Sequence, residues 1–233
     1  MSFDPALCLD PILKLSQAAY NPALMPAGWE IVATVQPGDF GFLVANSHPA
    51  VSVAAFIIRG TEHLEEWLAD FDARPVPDLY GGCGHVARGF QDVYSEIRTS
   101  LFRPLLPAFA YDELHVIGHS LGGALSQLFA KELAMRFQRK MTDGPKIVVE
   151  PTLWTFESPR PFWMDAVQEF NQLVTEYWRV ENRPDIVPHA PPTDAGYQAG
   201  GSLVAVSAPF SLDVHVNHSL ASVALGLQKL VTS

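Results

Sequence analysis

The sequence is poor in cysteine, in charged residues and in long apolar runs. Its two cysteines, Cys8 and Cys83, form no CxxC pair and no disulfide framework. We therefore expect two free thiols in a reducing compartment, with one disulfide between them as the alternative. No segment approaches the roughly 18 uninterrupted apolar residues of a membrane-spanning helix. Charged residues make up 17% of the 233 residues and apolar residues 48%, so the chain can bury a large core, which excludes global disorder.

Basic residues are outnumbered, with 15 Lys and Arg against 25 Asp and Glu and a net charge of −10. They form no cluster, so the sequence lacks the concentrated positive charge that nucleic acids and anionic membrane surfaces attract. The N-terminus has no basic segment, and Pro5, Asp10 and Pro11 interrupt its apolar residues. This pattern does not match a Sec-type signal peptide. We therefore expect a cytoplasmic protein, or one secreted without an N-terminal signal peptide.

Apolar runs alternate with helical periodicities along the chain. Segments 51–59 and 114–118 are almost continuously apolar, which is typical of strands covered on both faces. Strands are predicted at 30–36, 40–46, 51–59, 114–118, 146–156, 175–180 and 202–206, and helices at 12–20, 63–71, 89–103, 120–139, 162–172 and 218–230. No repeat and no linker divides the sequence. This alternation predicts one α/β domain over residues 1–233, with a mostly parallel sheet and helices on both faces.

The most informative motif is the GxSxG pentapeptide from Gly118 to Gly122. It directly follows a predicted buried strand and opens a predicted helix. A serine on this sharp turn is held over the ends of the strands, and glycines flank it because side chains there would collide with the neighbouring strand and helix. The helix N-terminus also supplies free N–H groups and a positive dipole end. The motif therefore predicts Ser120 as a nucleophile.

A serine nucleophile needs a histidine base, and the histidine needs a carboxylate that orients it. In hydrolases with this motif the acid follows the serine in the chain and the histidine comes last. Asp185 fits because it lies in a loop five residues after the predicted strand that ends at Val180. Asp165, Asp194 and Asp213 are competitors, each with an alternative explanation as a helix or turn residue.

Two histidines near the C-terminus, His215 and His218, both qualify as the base, whereas His189 follows Asp185 too closely. The HxxH spacing of His215 and His218 is also compatible with a metal site. No cluster of further ligands accompanies them in the sequence, so a metal is the weaker interpretation.

Five blocks, taken in order, resemble the class 3 lipase family, which includes the fungal triacylglycerol lipases. They are FIIRGT at 56–61, HLEEWLADF at 63–71, GF at 89–90 with Tyr94, VIGHSLGGA at 116–124, and SPR at 158–160 followed by RVENRPDIVP at 179–188. Together with the C-terminal histidine they span about residues 56–218. The resemblance implies an α/β-hydrolase fold and hydrolysis of carboxylic esters of lipids through an acyl-enzyme, with no metal or cofactor.

The resemblance also implies individual roles. Ser120 is the nucleophile and Asp185 the acid. His218, which is followed by Ser219 and Leu220, matches the family's terminal histidine better than His215 and is the base. Thr61 and the backbone N–H of Leu121 form the oxyanion hole. An ordinary helix N-cap is the alternative role for Thr61, and both roles can coexist.

Residues 62–71 resemble the family's lid. Leu64, Trp67, Leu68 and Phe71 recur at helical spacing with acidic residues between them, which predicts an amphipathic helix. Its apolar face either covers the acyl pocket and turns outward at a lipid–water interface, or packs permanently on the core as in most surface helices.

Four departures from the family pattern leave the substrate preference open. Glu157 replaces the glycine that usually precedes SPR, and residues 161–163 replace the Gly-Asn or Gly-Asp that follows it. Ala87 stands where the family's VHxGF block has its histidine, and no aromatic residue follows His218. A phospholipase or a phenolic-acid (feruloyl) esterase therefore remains an alternative. A catalytically inactive hydrolase fold used as a binding module is a second one.

Overall fold

The structure is a computed structural model that describes residues 2–37, 40–47, 50–61, 63–105, 111–140 and 150–232. Its strands are β1 (Trp29–Val35), β2 (Gly41–Ser47), β3 (Ser52–Ile58), β4 (Pro75–Pro77), β5 (His85–Ala87), β6 (Glu113–His119), β7 (Thr152–Phe156), β8 (Phe162–Trp163), β9 (Tyr177–Asn182), β10 (Tyr197–Gln198) and β11 (Ser202–Val206). Its α-helices are α1 (Pro5–Leu7), α2 (Leu13–Ala18), α3 (Leu64–Asp70), α4 (Arg88–Phe102), α5 (Leu121–Lys140), α6 (Met164–Leu173), α7 (Val214–Asn217) and α8 (Leu220–Val231). Single helical turns occupy Cys8–Ile12, Pro22–Leu24, Val187–His189 and Thr193–Ala195.

Seven strands form the central sheet in the order β1-β2-β3-β6-β7-β9-β11. The β1–β2 and β2–β3 pairs are antiparallel, and every pair from β3 to β11 is parallel. The predicted mostly parallel α/β architecture is therefore confirmed. Because the five parallel strands end at one edge of the sheet, the segments that follow them converge there.

Each face of the sheet carries its own apolar core. Phe56 and Ile58 of β3 point to the face covered by α4, α5 and α6. Their neighbours Ala55 and Ile57 point to the opposite face, which the N-terminal helices and α8 cover. Strands buried on both faces need apolar residues at every position, which explains their continuous apolar runs.

Several boundaries differ from the predicted ones. Strands β4, β5, β8 and β10 form a second, antiparallel sheet that the sequence did not predict, because strands of two or three residues have no detectable periodicity. The helix predicted at 162–172 begins at Met164, since Phe162 and Trp163 pair in this small sheet. The last predicted helix begins at Leu220 rather than at His218, because the Ser219 hydroxyl caps it by accepting the Ser222 N–H. Residues 146–149 of the predicted strand 146–156 lie outside the described residues.

Neither cysteine forms a disulfide: Cys8 is buried and Cys83 is exposed, and both are free, as predicted. Within the described ranges, the structure contains no helix with the length and apolarity needed to cross a bilayer.

Candidate active site

Ser120 occupies a strained turn between β6 and α5. Its φ angle is 57°, a left-handed value that is uncommon for residues other than glycine. Space for the turn depends on glycines at 60, 118 and 122. A Cβ on Gly60 would lie 2.6 Å from Ser120 Cβ, and one on Gly122 would lie 2.3 Å from the Ile58 carbonyl oxygen. The serine is therefore held at the carboxyl edge of the sheet by close backbone packing, as the GxSxG motif predicts.

Asp185 lies in the loop after β9 and is buried. Its Oδ1 accepts the Val187 N–H at 3.1 Å, and its Oδ2 is 2.6 Å from His218 Nδ1. Burial raises the pKa of this carboxyl, but hydrogen bonds from His218 and Glu157, the His218 charge and the Val187 N–H outweigh burial and hold the pKa below its usual value. Asp185 is therefore ionised at neutral pH.

His218 lies between α7 and α8, where it is buried. With Asp185 ionised, Nδ1 carries the proton that it donates, so Nε2 has a free lone pair. Neither His218 Nε2 nor Ser120 Oγ has a hydrogen-bond partner among the described residues, and both atoms are buried. The structure thus brings Ser120, Asp185 and His218 to the same edge of the sheet. The base and the acid are already paired, and catalytic serine–histidine contacts commonly tighten only when substrate is bound.

Thr61 and Leu121 line one cleft, of about 360 Å³, together with Phe40 and Trp67. As the first residue of α5, Leu121 has an N–H without an intrahelical partner. The Thr61 hydroxyl oxygen accepts the His63 N–H at 3.0 Å, which leaves its own proton available for donation. The N-cap of α3 is His63 and not Thr61, so the N-cap role considered for Thr61 is wrong.

The sequence did not predict a hydrogen-bonded chain that joins the oxyanion loop to the base. The Gly60 N–H donates to the Tyr20 hydroxyl at 2.7 Å, and this hydroxyl lies 2.6 Å from His119 Nδ1. His119 Nε2 contacts the His218 carbonyl oxygen at 3.0 Å. Burial and the nearby His218 charge lower the pKa of His119 to about 3, so it is neutral. The neutral ring accepts from Tyr20 and donates to the His218 carbonyl.

Two asparagines connect the acid strand to the segment that carries the base. The Asn182 side chain donates to the Asn217 carbonyl oxygen at 2.8 Å and accepts the Ala208 N–H at 2.9 Å. The Asn217 side chain in turn bonds both backbone groups of Ser211. Asn182 is the asparagine of the RVENRPD block. Its place in this block, three residues before Asp185, is the one sequence feature that could have indicated that it helps to hold the site together.

The predicted lid corresponds to α3, which packs on the core in this structure. Leu64 is buried. The Trp67 ring lies 4.7 Å from that of Phe71 and 5.6 Å from that of Phe90 in α4, and the Phe71 and Phe90 rings are 4.4 Å apart. Glu62 and the side chain of Leu68 lie outside the described residues.

The histidine pair considered for a metal does not gather ligands. His215 is exposed on α7, whereas His218 is buried against Asp185. Over the described part of the chain, no cluster of potential metal ligands occurs apart from the group formed by Glu157, Asp185 and His218.

The chain was compared with known proteins. A sequence model of the family described as Lipase (class 3) matches residues 55–195, more than half of the chain. The lipase of Rhizomucor miehei is 32% identical over 154 residues, covering 62% of this chain and 39% of that protein. Phospholipase A1-II 2 of Oryza sativa subsp. indica is 29% identical over 164 residues, covering 58% and 40%. The matches thus span about two fifths of the length of these two relatives.

A solved structure shows the same fold. It is a triacylglycerol lipase in which a serine protease triad forms the catalytic centre, and it aligns at 25% identity with a TM-score of 0.72, covering 86% of this chain and 80% of that one. The resemblance found in the sequence is confirmed by both comparisons. This chain, with its α/β-hydrolase fold, belongs to the class 3 lipase family.

Proposed function

We propose that the protein hydrolyses carboxylic esters of lipids with Ser120 as nucleophile. The observation that carries the proposal is the 2.6 Å contact between His218 Nδ1 and Asp185, which leaves Nε2 free at the edge of the sheet where Ser120 lies. A serine nucleophile, a histidine with a free ring nitrogen and a carboxylate that orients the histidine are the three groups that this chemistry requires.

In the proposed reaction, His218 Nε2 takes the Ser120 proton while Oγ attacks the ester carbonyl carbon. The carbonyl electron pair moves onto oxygen, where the Leu121 N–H and Thr61 stabilise it. The tetrahedral intermediate then expels the alcohol, which takes the proton from the imidazolium. Water, deprotonated by the same nitrogen, attacks the acyl-serine carbonyl. The second tetrahedral intermediate then breaks its bond to Ser120 Oγ, which takes the proton back from His218, and the carboxylic acid is released. Asp185 holds the imidazole tautomer and stabilises the imidazolium throughout.

Exposed apolar side chains next to the acid loop support a lipid substrate. Leu212 is 94% exposed, Phe210 71% and Ile186 58%. Together they line a small pocket of about 120 Å³ that also includes Asp185. Apolar residues grouped at the mouth of a site commonly mark contact with an apolar ligand or surface.

Neutral acylglycerols are our preferred substrates over phospholipids. The rice relative is a phospholipase A1, so phospholipid hydrolysis is the second candidate. The net charge of −10 repels anionic phospholipid headgroups, however, and favours esters without a net negative charge.

We further propose that α3 is a lid at a lipid–water interface. It directly follows the oxyanion loop, and Trp67 lies both in the cleft that contains Thr61 and Leu121 and against the aromatic side chains of the core. Outward movement of this helix would expose Trp67 and Phe71 to lipid while opening the cleft.

The test is hydrolysis of p-nitrophenyl esters from acetate to palmitate. We expect wild-type turnover, with Ser120→Ala lowering kcat by about 10⁴-fold or more because the nucleophile is removed. Ser202→Ala, an exposed serine on β11, is the control and should retain activity. The ester chain length that gives the highest rate then reports the length of the acyl-binding site. Comparing the hydrolysis rates of emulsified triacylglycerol, phosphatidylcholine vesicles and anionic phosphatidylglycerol vesicles separates neutral esters from phospholipids, and we expect the anionic vesicles to be hydrolysed most slowly.

Labelling by a serine-reactive probe tests the nucleophile even if none of the chosen esters is a substrate. We expect a fluorophosphonate probe to label the wild type and not Ser120→Ala. Absence of both labelling and turnover, even with detergent or emulsified ester, would refute the enzyme proposal in favour of a binding module.

A further inference from the structure

Glu157 is a buried carboxylic acid beside the catalytic acid. It follows β7 directly, is 0% exposed and has a φ angle of 50°. A left-handed backbone favours glycine, so a glutamate here adopts an unfavourable conformation. The chain therefore keeps a long ionisable side chain where both the backbone and the apolar interior disfavour it. Such a combination at a site commonly indicates a functional role.

The Glu157 side chain makes one hydrogen bond and lies close to the catalytic acid. Its Oε1 accepts the Asn182 N–H at 2.7 Å. Its Oε2 is buried and has no hydrogen-bond partner among the described residues. One carboxyl oxygen of Glu157, one of Asp185 and a ring nitrogen of His218 all lie within 4.8 Å of one another. Two carboxyl groups this close can form a hydrogen bond only when one of them is protonated.

The surroundings decide which carboxyl carries the proton. Asp185 receives the Val187 N–H and pairs with His218, and both contacts favour its ionised form. Burial, the hydrogen bond to Asp185 and the charges of Asp185 and Glu181 raise the pKa of Glu157 well above its usual value, against the opposing effect of the Asn182 N–H. Glu157 is therefore the protonated partner and Asp185 the acceptor.

Other titratable groups around the pair do not change this assignment. Glu181 forms an ion pair with Arg179. Arg160 has its pKa lowered by burial, and its guanidinium contacts the backbone carbonyls of His189 and Pro191 rather than Glu157. His119, whose ring lies 4.8 Å from that of His218, is neutral. None of these groups compensates a negative charge on Glu157.

We propose that Glu157 is a positioning residue of the catalytic machinery, a protonated carboxyl group that donates a hydrogen bond to Asp185 and so fixes the acid against His218. This inference rests on the proposed ester hydrolysis. With Glu157, Asp185 accepts three hydrogen bonds, from Val187, His218 and Glu157. The third donor disperses the carboxylate charge and prevents the side chain from rotating away from the imidazole.

The test compares Glu157→Gln with Glu157→Met, two side chains of similar length. Glutamine keeps a neutral donor for Asp185 and an acceptor for the Asn182 N–H, whereas methionine keeps neither. We expect Glu157→Gln to retain kcat within about threefold, with the acid limb of kcat/KM unshifted. Glu157→Met should lose about tenfold in kcat with KM nearly unchanged, because the cleft around Thr61 is untouched. Its acid limb should move to higher pH, because the undispersed Asp185 charge favours the imidazolium.

The opposite pattern overturns the proposal. If Glu157 is ionised, Glu157→Gln removes a negative charge beside His218 and moves the acid limb to lower pH by about one unit. If Glu157 only fills space, Glu157→Met matches the wild type in both kcat and pH profile. Circular dichroism of both variants excludes loss of the fold as the cause of any change.

Infrared difference spectroscopy of wild type minus Glu157→Gln, without substrate, tests the proton independently of activity. We expect a carboxylic acid C=O band at pH 7, and carboxylate bands in its place would refute a protonated Glu157. If no form of the protein hydrolyses esters or reacts with the serine probe, the proposed function fails while the infrared result still decides the state of Glu157.

Discussion

Burial and hydrogen bonds together set the protonation states of His119 and Asp185. His119 is neutral because a buried imidazolium beside His218 is unfavourable, and Asp185 is ionised because hydrogen bonds offset its burial. A neutral His119 with its Nδ1 occupied by Tyr20 must donate from Nε2, which fixes the His218 carbonyl. The position of the base is thus preorganised by neighbours that do not react, and reorganisation on substrate binding is small.

Tyr20→Phe tests this preorganisation at a single oxygen atom. The change removes the hydroxyl that accepts the Gly60 N–H and contacts His119. Two partly buried polar groups then lack partners, which we expect to destabilise the fold by about 2 kcal/mol. Because Gly60 directly precedes Thr61, kcat on p-nitrophenyl esters should fall about tenfold, with a smaller change in KM.

The matched control for this change is Tyr80→Phe. The Tyr80 hydroxyl donates to Ser95 Oγ at 3.0 Å, away from the catalytic residues. Its loss should leave kcat at the wild-type value and cost less than about 1 kcal/mol in urea unfolding. Equal kcat for the two variants would show that the Tyr20 hydroxyl does not position the site.

At the scale of elements, the site is assembled by the segments that follow neighbouring parallel strands. Thr61 follows β3, Ser120 follows β6, Glu157 follows β7 and Asp185 follows β9. These four strands are adjacent in the sheet. Residues up to 124 positions apart in the sequence therefore meet at one edge only because the strands are parallel and end together.

The parts of the fold and site that the sequence predicted are those marked by a pattern of neighbouring residues in the chain. Continuous apolar runs indicated β3 and β6, and the glycines around Ser120 indicated the turn. The roles of Tyr20 and Glu157 had no local signal, because each depends on a contact with a residue far away in the chain: Tyr20 with His119, and Glu157 with Asp185. The resemblance showed that Glu157 departs from the family pattern, but not what it contacts.

The proposed lid movement of α3 can be tested through its packing. Trp67→Ala removes the ring that contacts Phe71 and Phe90, so the packed position of the helix becomes less stable than in the wild type. For the wild type we expect the rate to jump as a sparingly soluble ester passes its solubility limit. The variant should hydrolyse dissolved ester about fivefold faster and show a smaller jump, because more molecules are already open.

Leu79→Ala, at a leucine that is 68% exposed, controls for the loss of an apolar side chain elsewhere and should reproduce the wild-type curve. A smooth rise in wild-type rate through the solubility limit would contradict a lid and support a helix that stays on the core.

At the scale of the whole molecule, two buried groups at the site give stability opposite dependences on pH. His119 has a folded-state pKa of about 3 against 6.5 ordinarily, so between these values only the unfolded chain binds its proton. The contribution of His119 to the free energy of unfolding is therefore fully present above pH 6.5 and is lost as the pH falls towards 3. The pKa of Glu157 in the folded protein is raised above its ordinary value of 4.5. Above pH 4.5 the folded protein therefore keeps a proton that the unfolded chain loses. The contribution of Glu157 to the free energy of unfolding is present at pH 4.5 and below, and it is lost as the pH rises towards the folded-state pKa.

Between pH 4.5 and 6.5 the two effects oppose each other, so single substitutions should reveal them with opposite signs. In Glu157→Gln only the effect of His119 on the pH dependence remains. The unfolding free energy of this variant should therefore rise with pH more steeply than that of the wild type, by up to about 1.4 kcal/mol per pH unit. In His119→Gln only Glu157 remains, and the unfolding free energy should fall with pH by a similar amount. Urea unfolding at pH 5 and pH 6 measures both slopes, with the exposed His63→Gln expected to parallel the wild type. Parallel curves for all four proteins would mean that neither buried group changes its proton binding on folding, which would contradict both a neutral His119 and a protonated Glu157.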